Sequence, residues 1–237
     1  RRRSLPHWQR EHFRHWFSQR GSVPAAARRV VLLDDCFTTY QEPQIGQATV
    51  ALLERAGYSV ELAGICCGRA MLSKGFLKDA RKLARDGLKK LHAAAEAGVP
   101  ILGLEPSCLL SLVDEWPELV PGPAARSVAR VAELAETWLA REAGITFVTD
   151  EPQSLLFHPH CHQRALVGSE GTAAALRQIR GAELTTLDAG CCGMAGAFGY
   201  EKEHYELSLQ IGELALAPAV RANPDATVVA TGTSCRH

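Results

Sequence analysis

Eight cysteines carry the chemistry of this chain, and their spacing says more than their number. They stand at positions 36, 66, 67 and 108, then at 161, 191, 192 and 235. Each group contains an adjacent pair followed by glycine, in "GICCG" and in "AGCCG". A vicinal pair closes a disulfide only with strain, and thiols packed merely as small apolar groups have no use for a flanking glycine. The first cysteine precedes the pair by 30 residues in both groups, and the last follows it by 41 residues in one and 43 in the other. One unit copied at an offset of 125 residues accounts for the gap, the pair and the glycine together.

Four thiolates gathered in one place repel each other unless a cation or a cluster compensates them. Cys36, Cys66, Cys67 and Cys108, and likewise Cys161, Cys191, Cys192 and Cys235, are therefore expected to hold a soft metal or an iron–sulfur centre. Gly68 and Gly193 then have a reason, because backbone without a Cβ approaches a cluster closely and turns N–H groups toward its sulfurs. Histidine breaks the symmetry: "HPHCH" surrounds Cys161 with His158, His160 and His162, where the first copy has Leu33, Asp35 and Phe37. An imidazole can ligate metal, hydrogen-bond a sulfur or move a proton near neutral pH, and it can equally be a structural group satisfied by a carbonyl. His158 and His162 are the candidates, as ligands or as partners of the sulfurs, with weaker grounds for His160. Glu105 in "EPSC" is either an oxygen ligand or the cap of the helix that follows, and capping is the expectation. Arg69, Lys74 and Tyr40 lie near the cysteine loops without diagnostic spacing, and His92 and His204 read as surface residues of helices.

Positioning such sets requires strands that deliver each cysteine to one edge of a sheet. "RRVVLLDDC" is a β-branched apolar run ending at Cys36, "EPQIGQATVALLERAGY" has helical spacing, and "SVELAGICCG" is a strand running into the vicinal pair. A long helix, "FLKDARKLARDGLKKLHAAAEAG", and a strand, "VPILGLEPSC", complete a β-α-β-α-β order. The second copy repeats it with strands at "SLLFHPHC", "AELTTLDAGCCG" and "ATVVATGTSC", and helices at "SEGTAAALRQIRG" and "YEKEHYELSLQIGELALAPAVRA". "PAARSVARVAELAETWLAREAG" reads as one bridging helix. The expected fold class is α/β, two pseudo-symmetric β-α-β-α-β units with parallel sheets related by internal duplication. All eight cysteines would lie just beyond the C-terminal strand ends, where open parallel sheets gather their ligands.

The 237 residues accommodate two such units, with a basic linker from an upstream region over 1–27, a first repeat with the bridging helix over 28–150 and a second over 151–237. The chain starts at Arg1, and its first 21 residues mix arginines with aromatics at irregular spacing. Lys plus Arg equals Asp plus Glu at 26 each, so no global positive field points to nucleic acid. No apolar run approaches the roughly 20 residues of a membrane span, and an export signal is not evident. A cytoplasmic location is expected, with peripheral attachment to the inner face of a membrane as an extension of it. In that setting eight thiols suit metal or redox chemistry better than disulfides.

The duplicated cysteine, CCG, cysteine pattern over residues 30–237 resembles the cysteine-rich CCG-domain proteins. These include the iron–sulfur subunit of glycolate oxidase, a subunit of anaerobic glycerol-3-phosphate dehydrogenase, lactate-utilisation proteins and the heterodisulfide reductase B subunit. "RSLPHWQREHFRHWF" and "DCFTTYQEP" are similar to the iron–sulfur part of FAD-linked 2-hydroxy-acid dehydrogenase fusions. The resemblance implies an iron–sulfur cluster, of [4Fe–4S] type, that passes electrons from a flavoprotein dehydrogenase acting on lactate, glycolate or 2-hydroxyglutarate to a quinone or other acceptor. The eight cysteines named above match the two motifs. No G-x-G-x-x-G follows a strand, so FAD is expected on a partner domain or subunit and not on this chain. The family motif commonly ends in C-x-x-C, whereas Glu105 and Gly232 stand at those first positions here and leave four cysteines per copy. That count speaks against a thiol–disulfide reductase of the five-cysteine kind. It leaves zinc open, as a non-redox scaffold or as the metal found after isolation beside an empty site, because tetrahedral zinc accepts four thiolates.

Overall fold

The computed structural model describes residues 3–21, 28–142 and 147–237. The chain forms two compact units, Trp8–Gly144 and Ile145–His237 with Arg1–His7. In the first unit the order is α1 (Phe13–Ser18), β1 (Arg28–Leu32), α2 (Cys36–Tyr40), α3 (Pro43–Arg55), β2 (Tyr58–Leu62), α4 (Arg69–Ser73), α5 (Leu77–Glu96) and β3 (Ile101–Gly103). It continues through α6 (Pro106–Val113), α7 (Glu115–Leu119), α8 (Pro123–Val131), β4 (Ala132–Leu134) and α9 (Ala135–Glu142). The second unit has β5 (Phe147–His158), α10 (Cys161–Leu166), α11 (Glu170–Arg177), β6 (Ile179–Thr186), α12 (Tyr205–Glu213), α13 (Leu216–Ala222), β7 (Thr227–Ala230) and α14 (Thr233–Arg236).

The sheets are ordered β2-β1-β3-β4 and β6-β5-β7, with every pairing parallel. The first strand of each copy is thus central, flanked by the second and the third, as two copies of one unit require. Central parallel strands are covered on both faces, which is why β1 and β5 end in unbroken apolar runs. Val30, Val31, Leu32 and Leu33 are buried in one copy, and Leu155, Leu156 and Phe157 in the other. The long helix α5 buries Ala80, Ala84, Leu88, Leu91 and Ala95, a 3.6-residue stripe, and the last four of these join the first sheet's core. Among the described residues no helix is long and apolar enough to cross a membrane.

Two segments read as single helices are divided. Between Pro123 and Glu142 the chain leaves the helix for Ala132–Leu134, which pairs in register with Ile101–Gly103 and buries Leu134. The free edge of β3 here outweighs local helix propensity. Between Tyr205 and Ala222 the helix stops at Glu213 and restarts at Leu216. Pro218 explains this, since in a continuous helix its ring would clash with the carbonyl of Leu214.

Part of the segment expected as a linker packs on the first unit. Phe13 is fully buried, and a Cβ at Gly46 of α3 would lie 2.8 Å from its ring. Trp8 lies 5.3 Å from Tyr40 and His12 lies 5.4 Å from it, ring centre to ring centre, so the aromatics among these arginines pack on α1, α2 and α3.

Candidate metal centre

The leading cysteine of each copy is the first residue of a helix and the last cysteine is the third residue of another. Cys36 opens α2 and Cys161 opens α10, while Cys108 and Cys235 sit in the first turns of α6 and α14. The vicinal pairs lie in the loops after β2 and β6. Four points fixed by three parallel strands therefore fall at one edge of each sheet. All eight cysteines are free thiols.

In the first copy the four thiols influence one another directly. Cys67 and Cys108 share a hydrogen bond, Cys66 is bonded to Cys67, and Cys36 feels the charge of Cys66. Cys67 and Cys108 belong to the buried apolar core, and Trp116 Nε1 donates to the Cys67 carbonyl at 2.9 Å. Two buried carboxylates adjoin them. Asp35 caps α2 by accepting from the backbone N–H groups of Phe37 and Thr38, both at 2.9 Å. Glu105 caps α6, its Oε1 accepting from Ser107 N at 3.2 Å and Ser107 Oγ at 2.7 Å, as expected for the capping role. Burial raises the Asp35 carboxyl to about 6. Burial, then the neighbouring Asp35, pushes the Cys36 thiol up to about 11, and Cys108 also reaches about 11 although its bond to Cys67 works the other way. Cys66 is raised by its bond to Cys67, and Cys67 by its bond to Cys108.

The second copy has the opposite polarity. Cys192, His158 and Cys235 present ligand atoms that all lie within 4.8 Å of one another. His158 is 1% exposed, and neither ring nitrogen meets a hydrogen-bond partner of adequate geometry. Nitrogens buried so deeply cost free energy unless something fills their lone pair or takes their proton. A hydrogen bond from Cys235, reinforced by His158, holds the Cys192 thiol down to about 4. Cys161 is raised by burial and then by the nearness of Cys191 and Cys192, which ties it to the same set. His162 lies outside the three-residue group, its ring 6.4 Å from that of His160.

Both CCG glycines are left-handed, with φ of +80° at Gly68 and +86° at Gly193. This conformation, which glycine adopts without penalty, lets the chain reverse and aim its N–H back at the pair. Gly193 N donates to Cys191 Sγ at 3.3 Å, and Gly68 N bonds Cys66 likewise. Close approach at Gly193 is to protein: a Cβ there would lie 2.1 Å from the Ser208 carbonyl oxygen of α12.

His160 fills the space beside Gly232, the position where the family motif commonly has a further cysteine. It is 6% exposed, and its ring packs on Gly232 so closely that a Cβ would lie 2.0 Å from Cδ2. A side chain at position 232, cysteine included, would have to displace that ring.

Several arginines that set up these loops carried no signal in the spacing of the cysteines. Arg14 pairs with the buried Asp34, which accepts from Gly64 N at 2.8 Å and so ties the end of β1 to the loop before Cys66. Arg69 joins the residue after the CCG glycine to α6 through Ser107 O at 3.1 Å, and pairs with Glu115 at 2.5 Å. In the second unit Arg164 Nη1 donates to Ala189 O at 2.8 Å, and Arg3 Nη1 to Gly199 O at 2.6 Å. Doubled acids or a basic tail are too common to single these out from sequence.

Among protein families, the cysteine-rich domain CCG matches residues 30–113 and 155–237, one copy each. The chain is 33% identical over 218 residues to the C subunit of the anaerobic glycerol-3-phosphate dehydrogenase of Escherichia coli K12, covering 89% of this chain and 55% of that protein. It is 36% identical over 213 residues to the D-2-hydroxyglutarate dehydrogenase of the same organism, covering 89% of this chain and 21% of the relative. With the lactate utilization protein A of Macrococcus caseolyticus it shares 29% over 182 residues, covering 72% of each. The chain thus spans about half of the first relative and about a fifth of the second.

Proposed function

Because the chain belongs to the family of cysteine-rich CCG domains, we propose that it is the iron–sulfur part of a dehydrogenase, taking electrons from a flavoprotein and handing them to a quinone or another acceptor. The similarity to components of glycerol-3-phosphate, 2-hydroxyglutarate and lactate enzymes supports the oxidoreductase setting. Substrate oxidation would take place on the flavin-bearing partner, with a 2-hydroxy acid as the substrate class. The single observation that carries this reading is the second thiol set: the buried His158 imidazole has its ligand atom within 4.8 Å of the thiols of Cys192 and Cys235.

These donors fit a cluster. Cys161, Cys191, Cys192 and Cys235 would bind it in the second copy and Cys36, Cys66, Cys67 and Cys108 in the first. His158 would ligate or hydrogen-bond at the second, with His162 further out. When bound, an iron–sulfur cluster accepts and releases single electrons, the step a two-electron flavin needs in order to discharge into a chain of carriers. The protein's own contributions are distinct. The glycine N–H groups after each pair stabilise negative sulfur and thereby raise its reduction potential. The buried carboxylates beside the first set add negative charge and lower the potential there, whereas His158 does the reverse.

Anaerobic purification of the full-length protein with iron and sulfide analysis, and EPR of the reduced sample, tests the reading. Iron with sulfide in both sets is expected. Cys191→Ser and Cys192→Ser should abolish acceptor reduction while leaving flavin reduction by substrate intact. Zinc without sulfide in anaerobic material would replace this reading with that of a zinc scaffold.

A further inference from the structure

The chain is neutral overall, yet its charge is not evenly spread. Between Lys74 and Lys90 stand seven lysines and arginines against two aspartates. Lys78, Arg81, Lys82 and Arg85 fall at helical spacing on the exposed side of α5, opposite the stripe buried in the core. Among the described residues, the acidic partners within 4 Å on this helix serve Lys89, paired with Asp86 at 3.6 Å, and His92, near Glu96. Lys78, Arg81, Lys82 and Arg85 have none. Beside them project Met71, Phe76 and Leu77, which are 36%, 57% and 57% exposed. Leu77, Lys78, Arg81 and Arg85 line a pocket of about 360 Å³.

We propose that this face of α5, with the turn that joins it to α4, is a docking surface for an anionic phospholipid bilayer. Unpaired cations on a folded helix gain from phosphate headgroups, and a protruding Phe–Leu pair gains from the acyl boundary just beneath them. A pocket with three cationic walls and one leucine suits a headgroup phosphate with its glycerol against Leu77. The protruding Phe76 and Leu77 beside these cations favour a bilayer over an acidic polypeptide, which offers charge but no acyl layer to receive them. The surface also lies next to the first thiol set. Gly68, the residue after Cys67, packs over Ala80 of α5, and Lys90 Nζ donates to Gly64 O at 2.6 Å. Docking there brings the Cys66–Cys67 loop to the phase in which a lipid-soluble acceptor dissolves. This last consequence rests on the electron-transfer reading, whereas the docking itself does not.

The test is sedimentation of the full-length protein with phosphatidylethanolamine–phosphatidylglycerol vesicles and with phosphatidylcholine vesicles, at low and at physiological salt. Binding to the anionic vesicles alone, weakened by salt, is expected. The variant Lys78→Glu/Arg81→Glu/Arg85→Glu should lose at least about 100-fold in partition, and Phe76→Ser about tenfold, with unchanged circular dichroism. Equal binding to both vesicle types, no binding, or undiminished binding of the triple variant overturns the proposal. So does equally tight, equally variant-sensitive binding to polyglutamate, which would assign the face to an acidic protein. Iron and sulfide measured in the same samples report on the electron-transfer reading separately, so either idea can fail alone.

Discussion

Three glycines around the vicinal cysteines should respond to alanine in a fixed order. Gly190 has no positive φ and nothing within 4 Å of a prospective Cβ, so Gly190→Ala should change stability by less than about 0.5 kcal/mol. Gly68 has φ +80°, but its Cβ would meet only ordinary contacts at 3.7–3.8 Å to Ala80 and Leu83. Gly68→Ala therefore carries the left-handed penalty alone, roughly 1–2 kcal/mol. Gly193 has φ +86° and a Cβ position 2.1 Å from the Ser208 carbonyl oxygen and 3.0 Å from its carbon. That obstacle is helix backbone, which cannot rotate away as a side chain could. Relief requires α12 to move by about an ångström, and such overpacking costs about 1–3 kcal/mol more. Gly193→Ala should thus lose about 2–5 kcal/mol in total.

Urea unfolding of the reduced, metal-free protein measures the series, with midpoint shifts converted through a common slope. Two compact units can unfold separately, so hydrogen exchange of the α12 amides should accompany the optical signal. Gly193→Ala should accelerate exchange in α12, and Gly68→Ala should leave it alone. Equal losses for Gly68→Ala and Gly193→Ala, within about 0.5 kcal/mol, would refute the claim that the second CCG turn is wedged against Ser208.

Other expectations follow from the same geometry. In the reduced, metal-free protein at neutral pH, pulse alkylation should label Cys192 before Cys36, Cys66 or Cys161 although those three are more exposed, because of these four only the Cys192 thiol is lowered, to about 4. Labelling that tracks exposure would contradict this, and His158→Ala should slow the Cys192 reaction. Asp35 titrates near 6 when folded against 3.8 ordinarily, so the folded state takes up its proton first. Its share of stability is present below about pH 4 and is lost as pH rises through about 6, on the order of 2–3 kcal/mol, and Asp35→Asn should flatten that part of the pH profile of urea midpoints. Gly232→Cys, which restores a family-like C-x-x-C, should destabilise the second unit by about 1–3 kcal/mol in the same assay, because the new Cβ displaces the His160 ring.

What the sequence made legible was whatever repeats or is periodic. The order of strands and helices, the parallel sheets and the equivalence of the copies all follow from spacing, and the matching strand orders β2-β1-β3 and β6-β5-β7 bear them out. Single-residue competitions were harder to read. Whether Ala132–Leu134 joins a helix or the edge of β3 depends on an edge that exists only after folding. Pro218 was visible, and its clash one turn upstream was the signal available for dividing the last long helix. The Arg14–Asp34–Gly64 link and the His160–Gly232 contact join residues 20 to 72 positions apart by shape and charge, which no local pattern encodes.

Duplication gives the two copies one frame, and a few residues then make the sites unequal. The strand order decides where the cysteines fall, so both copies present the same four thiols from the same helix starts and loops. Charge is decided by what stands beside the leading cysteine. In the first copy Asp35 precedes Cys36 and Glu105 precedes the helix of Cys108, two buried carboxylates that disfavour every further negative charge. In the second, His160 replaces the aspartate and His158 stands where the first copy buries Leu33, so a proton or a metal near Cys192 and Cys235 meets a nitrogen lone pair. Binding any cation at the first set must release protons that its thiols hold tightly, while the second begins with a thiolate already formed. Under the proposed function, clusters bound in these matching frames would sit at different potentials, because the charge beside each set is of opposite sign.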